Sequence, residues 1–329
     1  MVRQSEIALS QAVDGFLLHK SAEGRSRHTL SDYRVSLGKL QAFAGDLPLR
    51  QLGVGRLRSF FAYLNDGYTT VPAGIAPRPE QALSQKTIRN IHAAVSSMFT
   101  WAIAEGYAKA NPMTRIARPK GSPPPIEPLT QADVVALLQA AAETTPWKTR
   151  PGIRTQRPTA KRDQAIILVL VDTGLRASEL CALTVGDWND ATGHLQVLLG
   201  KGRKSRTVRA SDSTRRAIWK YLAARGPQLP DDAPLFAVAE NGREAHLSRY
   251  ALGRLLSRMG QRAGVRNVHP HRFRHTFAIE YLRNNGDIYT LQEILGHSTL
   301  DMVKKYLAIA QADLDTKHKS ASPVRNWRL

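Results

Sequence analysis

VHPHRFRHTFAIEYLRNNGDIYTLQEILGHSTLDMVKKYLA, residues 268–308 of this 329-residue chain, is the stretch from which the rest can be read. It sets His271 and His275 at i, i+4 with Arg272 and Arg274 between them. His297 follows Gly296 directly, and Tyr306 stands nine residues further on. Nowhere else does the chain concentrate so many side chains able to bind, protonate or attack a phosphate.

His271 and Arg274, at i, i+3, share one helix face. The histidine pair at i, i+4 invites a zinc reading. Two of the three residues between them are cations, however, and no glutamate stands where a metalloprotease needs its base. Cations at a site favour an anion over a dication. His275, close to Phe277 and Ala278, reads as a packed core histidine rather than a second functional one. Gly296 closes a helix carrying Leu291, Ile294 and Leu295, which leaves His297 in a loop. Tyr306 follows Met302 and Val303 on the next helix. A tyrosine in such a stripe is ordinarily core, and Tyr281 and Tyr289 lie in the same stretch.

Composition narrows the partner. The net charge of +20 and a pI near 10.5 point to a polyanion, most often nucleic acid, because neutralising phosphates releases condensed counterions. Both halves share the excess: residues 1–120 are net +8 and residues 121–329 net +12. The plain alternative is a basic soluble protein with no such partner. Cys181 is the single cysteine, so no intrachain disulfide or cysteine zinc cluster can form. Its neighbours Leu180 and Leu183 suggest a small core residue rather than a nucleophile. The longest apolar run, from Ala165 to Val171, is far too short to span a bilayer, and no secretory leader is visible. The expected location is the cytoplasm, with no membrane partner.

Read from its start, the chain opens with helical spacing over residues 3–20 (Leu9, Val13, Phe16, Leu17), ended by Gly24. Thr29 or Ser31 is the expected cap of a second helix through Leu30, Tyr33, Leu37, Leu40 and Phe43, closed by Gly45. A shorter helix around Arg56–Leu64, a proline-bearing loop over Gly67–Ala82 and a long amphipathic helix over Ser84–Glu105 follow. Residues 1–116 are therefore expected to be an all-helical bundle. The proline-rich run within residues 117–127 is the expected linker, leaving residues 128–329 as the second domain.

That second half opens with a helix cap at Thr130–Asp133. A basic loop over Gly152–Lys161 leads to an apolar helix or strand over Arg162–Val171, then to Thr173-Gly-Leu-Arg176. Short β signals over Leu195–Leu199 and Arg206–Ala210, around a basic turn at 200–205, read as a hairpin. Helices over Ser213–Ala224 and Arg249–Ala263 flank a short strand near Leu235–Val238. The expected fold class is mainly α: an N-terminal helical bundle, then an α-rich domain with a small antiparallel β-sheet.

Arg176, behind a glycine turn, can offer a bidentate fork to a phosphate, or can be an ordinary arginine salt-bridged to Glu179. Lys201 at the hairpin tip is either solvated or an acid whose pKa nearby cations lower. Together, two arginines, two histidines, a lysine and a tyrosine are what in-line attack by a phenol on a phosphodiester requires.

The ordered set Thr173-Gly-Leu-Arg176, Gly200-Lys201-Gly202, His271-Arg-Phe-Arg274-His275, Leu295-Gly-His297 and Tyr306 resembles the tyrosine recombinase (phage integrase) family, most nearly its Xer type. The resemblance covers residues 127–310 by motif, and the N-terminal half by architecture as a helical core-binding domain. It implies a site-specific recombinase acting through a 3′-phosphotyrosine intermediate and a Holliday junction. By the same resemblance Arg176 and Arg274 bind the scissile phosphate, and His271 and His297 assist. Lys201 is the general acid and Tyr306 the nucleophile. No cofactor and no metal are implied. The partners implied are double-stranded DNA and a homo-tetramer assembled on it, with a paralogous recombinase as an optional second subunit. The tail from Ile309 to Leu329 resembles a segment that docks into a neighbouring subunit. Three rivals stand beside this reading. One is a type IB topoisomerase-like nicking and closing enzyme. Another is a non-catalytic basic DNA-binding protein with Tyr306 in its core. The third is a metal-dependent nuclease built on Asp163, Asp172 and Glu179.

Overall fold

The computed structural model describes residues 6–66, 83–119, 125–144, 155–198, 205–240, 242–297, 299–311 and 324. The chain divides into two compact units, Met1–Pro124 and Pro125–Leu329.

The first unit is helical: α1 (Leu9–Ala22), α2 (Arg27–Ala44), α3 (Val54–Asp66) and α4 (Gln85–Ala104). Its core gathers the stripe of each helix, with Phe16, Leu37, Phe60, Leu64, Ile88 and Met98 all fully buried. The cap of α2 differs from expectation. Ser26, not Thr29 or Ser31, is the N-cap, and its hydroxyl accepts from the Thr29 backbone N–H at 3.2 Å. An N-cap needs extended backbone ahead of the first turn, and Ser26 has it, at φ −63° and ψ 150°. The loop expected over Gly67–Ala82 lies outside the described residues.

The second unit holds α5 (Gln131–Ala142), α6 (Ala160–Thr173), α7 (Ala177–Ala182), α8 (Asp212–Arg225), α9 (Arg249–Ala263), α10 (Pro270–Arg283), α11 (Ile288–Leu295) and α12 (Asp301–Gln311). The strands are β1 (Trp188–Asn189), β2 (His194–Val197), β3 (Arg206–Arg209), β4 (Ala237–Glu240) and β5 (Arg243–His246). The segment over Arg162–Val171, ambiguous in sequence, is the helix α6. Of its residues Ala165, Ile166, Ile167, Val169 and Leu170 are fully buried, a run of contacts around the helix rather than a stripe. Where one small antiparallel sheet was expected, the described residues form two: β1-β2-β3, and a separate β4-β5 hairpin. The expected hairpin is β2-β3, paired from His194↔Arg209 to Val197↔Arg206, and its tip, with Lys201, lies outside the described residues.

Two devices fix α10. Its first turn is entered through His269, whose Nδ1 accepts from the Arg272 N–H at 3.3 Å, with Pro270 in the first position where no N–H is needed. Arg272 then donates to the carbonyls of Glu127, Pro128 and Arg266, and the Leu129 N–H donates to the Thr276 hydroxyl at 2.8 Å. The segment leading into α5 is thereby tied to α10. A second apolar cluster of Ala278, Ile279, Leu291, Leu295, Val303 and Tyr306 packs α12 against α10 and α11.

Candidate active site

Five of the six residues singled out in sequence meet at one place. Arg176, Arg274, His297 and Tyr306, together with His271, line a single cavity of about 600 Å³. Lys201 lies outside the described residues.

Arg274 is a buried charge at 1% exposure. Its Nη1 donates to the Gly174 carbonyl at 2.8 Å, and its Nη2 to the Leu295 carbonyl at 2.6 Å and to His297 Nε2 at 2.8 Å. Burial, and next the neighbouring Arg176, push its pKa down to about 10, so it stays charged at neutral pH. Gly174 earns its place here: it caps α6 in the left-handed region at φ 62°, and a Cβ would sit 2.4 Å from the Phe277 ring. The turn it makes aims its carbonyl at Arg274 and starts α7 at Arg176.

Arg176 is the N-cap of α7. Its Nη1 donates to Glu179 Oε1 at 2.8 Å and its Nη2 to the Gly296 carbonyl at 3.1 Å, while its own N–H donates to Glu179 Oε2 at 2.8 Å. Glu179 also receives both Nη atoms of Arg206, at 3.0 and 2.7 Å. Burial alone would raise this carboxyl. The bonds from Arg206 and Arg176 reverse that and hold it at about 2. Arg206 further donates to the Ile294 carbonyl at 2.6 Å. Two guanidiniums thus hold one carboxylate, and with Arg274 nearby the site keeps a positive excess.

His297 is 8% exposed and its pKa is lowered to about 4, first by burial and then by Arg274, Arg176 and Arg206. A guanidinium only donates, so His297 Nε2 accepts and the ring proton of the neutral imidazole is on Nδ1. That buried Nδ1 has no partner among the described residues. Tyr306 is 5% exposed, and burial raises its pKa against the opposing pull of Arg274 and Arg176.

The reading of His275 as a core histidine requires correction. It is half-buried and its Nδ1 lies 2.8 Å from the Tyr306 hydroxyl. α10 turns its positions 271 and 275 along the cavity wall, so the residue one turn beyond His271 meets the phenol instead of the apolar core. In sequence Arg206 stands only at the start of the hairpin's second strand, with no role in the site. The available signal was strand alternation, since Arg206 lies two residues before the buried Val208 and shares its face.

The carboxylates of the nuclease rival are dispersed in separate bonds. Asp163 is held by Arg157 and Arg162, Asp172 accepts from the Ser211 N–H at 2.6 Å, and Glu179 serves the arginines. Cys181 is partly buried against the core, and burial pushes its thiol up to about 11, as suits a packing residue.

A helical unit, and a second unit whose arginines, one of them fully buried, share a cavity with a tyrosine, mark an enzyme of phosphoryl transfer. Residues 127–313 match the phage integrase family, and residues 13–117 match the phage integrase SAM-like domain. The chain belongs to the phage integrase family and is a tyrosine recombinase. Among curated relatives, tyrosine recombinase XerC of Pseudomonas fluorescens is 30% identical over 319 residues, covering 96% of this chain and 97% of that one. Tyrosine recombinase XerC of Mycobacterium sp. (strain KMS) is 30% identical over 286 residues, covering 83% and 92%. In fold the chain is similar to a lambda integrase tetramer bound to a Holliday junction, with TM-score 0.68 and 19% identity over 92% of this chain and 78% of that one. It is likewise similar to the Tn1549 transposon integrase in complex with a circular intermediate DNA, with TM-score 0.69 and 19% identity over 94% and 99%.

Proposed function

We propose that this recombinase breaks and rejoins double-stranded DNA at specific sites through a 3′-phosphotyrosyl bond to Tyr306. The observation that carries the reading is the single cavity shared by a buried phenol, two guanidiniums and a neutral histidine. A phosphodiester entering it meets Arg176 and Arg274, both held by carbonyls and therefore already oriented before DNA arrives. Such preorganised charge stabilises the pentacoordinate transition state, whose non-bridging oxygens gain negative charge. The Nδ1–H of His297 is a further donor for one of those oxygens, and His271 is the exposed wall of the same cavity. Lys201 is assigned the protonation of the departing 5′-oxygen on its place in the sequence between β2 and β3; Arg206, which opens β3, bonds the Ile294 carbonyl and Glu179. The phosphotyrosyl bond stores the energy of the broken diester, so rejoining needs no nucleotide cofactor.

By this reading residues 1–116 grip the core site, residues 117–127 link, and residues 128–329 carry the chemistry. The excess of 20 positive charges suits a DNA backbone. Four copies act together on two duplexes, either all of this chain or with a paralogous recombinase supplying half. The place of action is the cytoplasm; among the described residues no helix is long and apolar enough to cross a membrane.

The test is incubation with a nicked suicide substrate in EDTA. A covalent protein–DNA adduct is expected, and Tyr306→Phe should abolish it. Absence of an adduct, or cleavage that needs Mg²⁺, would sink the proposal. Formation of Holliday junctions between two duplexes then separates recombination from simple relaxation.

A further inference from the structure

The assignments above leave one side chain at the reacting atom without a role. His275 Nδ1 stands 2.8 Å from the Tyr306 hydroxyl oxygen. The two rings lie 5.5 Å apart between centroids at a 54° tilt, and the other face of His275 is stacked on His271, with centroids 5.1 Å apart and planes at 21°. His275 is thus held on both sides. His271 is the exposed member of the stack, and the bond to the phenol belongs to His275.

Resting on the recombinase reading, we propose that His275 is the base of strand cleavage: it takes the proton of Tyr306 as the phenol attacks, and returns it when the strand is rejoined. The imidazole carries its own proton on Nε2 and offers the Nδ1 lone pair to the phenol. As the Tyr306 oxygen–phosphorus bond forms, the bond from phosphorus to the 5′-oxygen breaks. The phenolic proton passes to Nδ1, leaving an imidazolium. The 5′-oxygen takes a separate proton from its own acid, assigned above to Lys201. Rejoining runs the same transfers backwards, so each half-reaction restores the starting protonation.

The surroundings suit this division. Burial raises the pKa of Tyr306, so the phenol keeps its proton at neutral pH and needs a base. Burial first, then His271, His269 and Arg274, lower His275 to about 4, so in the free protein it is neutral and able to accept. The groups facing it are His269, His271 and Arg274 from α10 and its cap, with Tyr306 and Lys305 from α12, Arg249 from α9, Arg176 at the cap of α7 and His297 all lining the same cavity. Most are cations or neutral, so the one thing able to favour an imidazolium there is an anion. The scissile phosphate and its developing charge supply that anion at the moment of transfer.

The test is single-turnover cleavage of a suicide substrate by the full-length protein, with His275→Ala and His275→Asn beside the wild type. It is run on ordinary DNA and on DNA with sulfur in place of the 5′-bridging oxygen. Asparagine keeps an acceptor near the Nδ1 position but takes no proton, and it carries the comparison if the alanine variant fails to fold. Both variants should bind DNA as the wild type does and cleave roughly 10²–10³-fold more slowly at neutral pH. Their rates should climb about tenfold per pH unit in alkali, as the phenol ionises unaided. A thiolate leaves without protonation, so sulfur should relieve Lys201→Ala and leave the His275 defect in place. Cleavage by His275→Ala at close to the wild-type rate, rescue of it by sulfur, or full activity of His275→Asn would each overturn the assignment. A wild-type protein that forms no adduct on either substrate would bring down the recombinase reading itself, and the assignment with it.

Discussion

Glu179 carries no chemistry in the proposed reaction, yet Glu179→Gln should be among the most damaging isosteric changes in the second unit. The carboxylate accepts from both Nη atoms of Arg206 and from the side chain and N–H of Arg176, at 2.7 to 3.0 Å, and its side chain is 6% exposed. Its pKa falls from an ordinary 4.5 to about 2. At about 1.4 kcal/mol per pKa unit, that drop corresponds to roughly 3 kcal/mol of native-state stabilisation. Breaking a buried ion pair on one side costs about 3–5 kcal/mol by general experience, which agrees. For a unit of this size, ~3 kcal/mol lowers Tm by roughly 6–12 °C. The assay is scanning calorimetry of the full-length protein and variant from pH 7 down to 3. Because the native pKa is depressed, Glu179's contribution is fully present above 4.5 and is lost as pH falls towards 2. The gap between wild type and variant should therefore hold from pH 7 to 5 and narrow below about 4.5. A gap under about 2 °C, or one that stays constant into acid, would refute the carboxylate as the keystone of the arginine cluster.

Two further outcomes test the site's scaffold and its protonation. Gly174→Ala should destabilise the protein by about 2 kcal/mol or more, because φ is 62° and the new Cβ would meet Phe277 at 2.4 Å; thermal unfolding reads this, and an unchanged Tm would mean the ring yields freely. The imidazole resonances of His275 and His297, both lowered to about 4, should hold their neutral positions in the DNA-free protein as pH falls from 8 to 5.5; a midpoint near 6.5 for either would contradict the burial and arginine contacts assigned to it.

The helices were legible because their apolar stripes repeat with helical period and their ends carry the right residues. Thr130 and Asp133 do form the reciprocal cap, and Gly296 does end α11 in the left-handed conformation at φ 61°. What periodicity cannot supply is the partner of each face. Ser26, Thr29 and Ser31 are all chemically able to cap α2, and only the path of the incoming backbone selects Ser26. The same limit explains His275, whose spacing from His271 was plain but whose neighbour, Tyr306, lies 31 residues away in another helix. Arg176, Arg274, His297 and Tyr306 could be singled out because their motifs are local. Arg206 and Glu179 take their meaning from one another across 27 residues, and no local motif records that pairing.

The positive charge of the site raises a physical question that the arginine contacts themselves answer. Arg176, Arg206 and Arg274 converge, and Glu179 is the one carboxylate among the described residues that is ion-paired within this cluster; buried like charges are costly without compensation. The compensation is the C-terminal end of α11. Its last carbonyls have no helical partner, and three consecutive ones are each taken by a different arginine: Ile294 by Arg206, Leu295 by Arg274 and Gly296 by Arg176. The negative end of the helix dipole reinforces each bond. Carbonyls stabilise a guanidinium without cancelling its charge, whereas further carboxylates would have neutralised the field that a phosphate needs. The turn that exposes them is Gly296, where a Cβ would stand 3.1 Å from Arg206 Nη1, and the next residue is His297. One helix end therefore orients three cations and delivers the histidine that stands beside them.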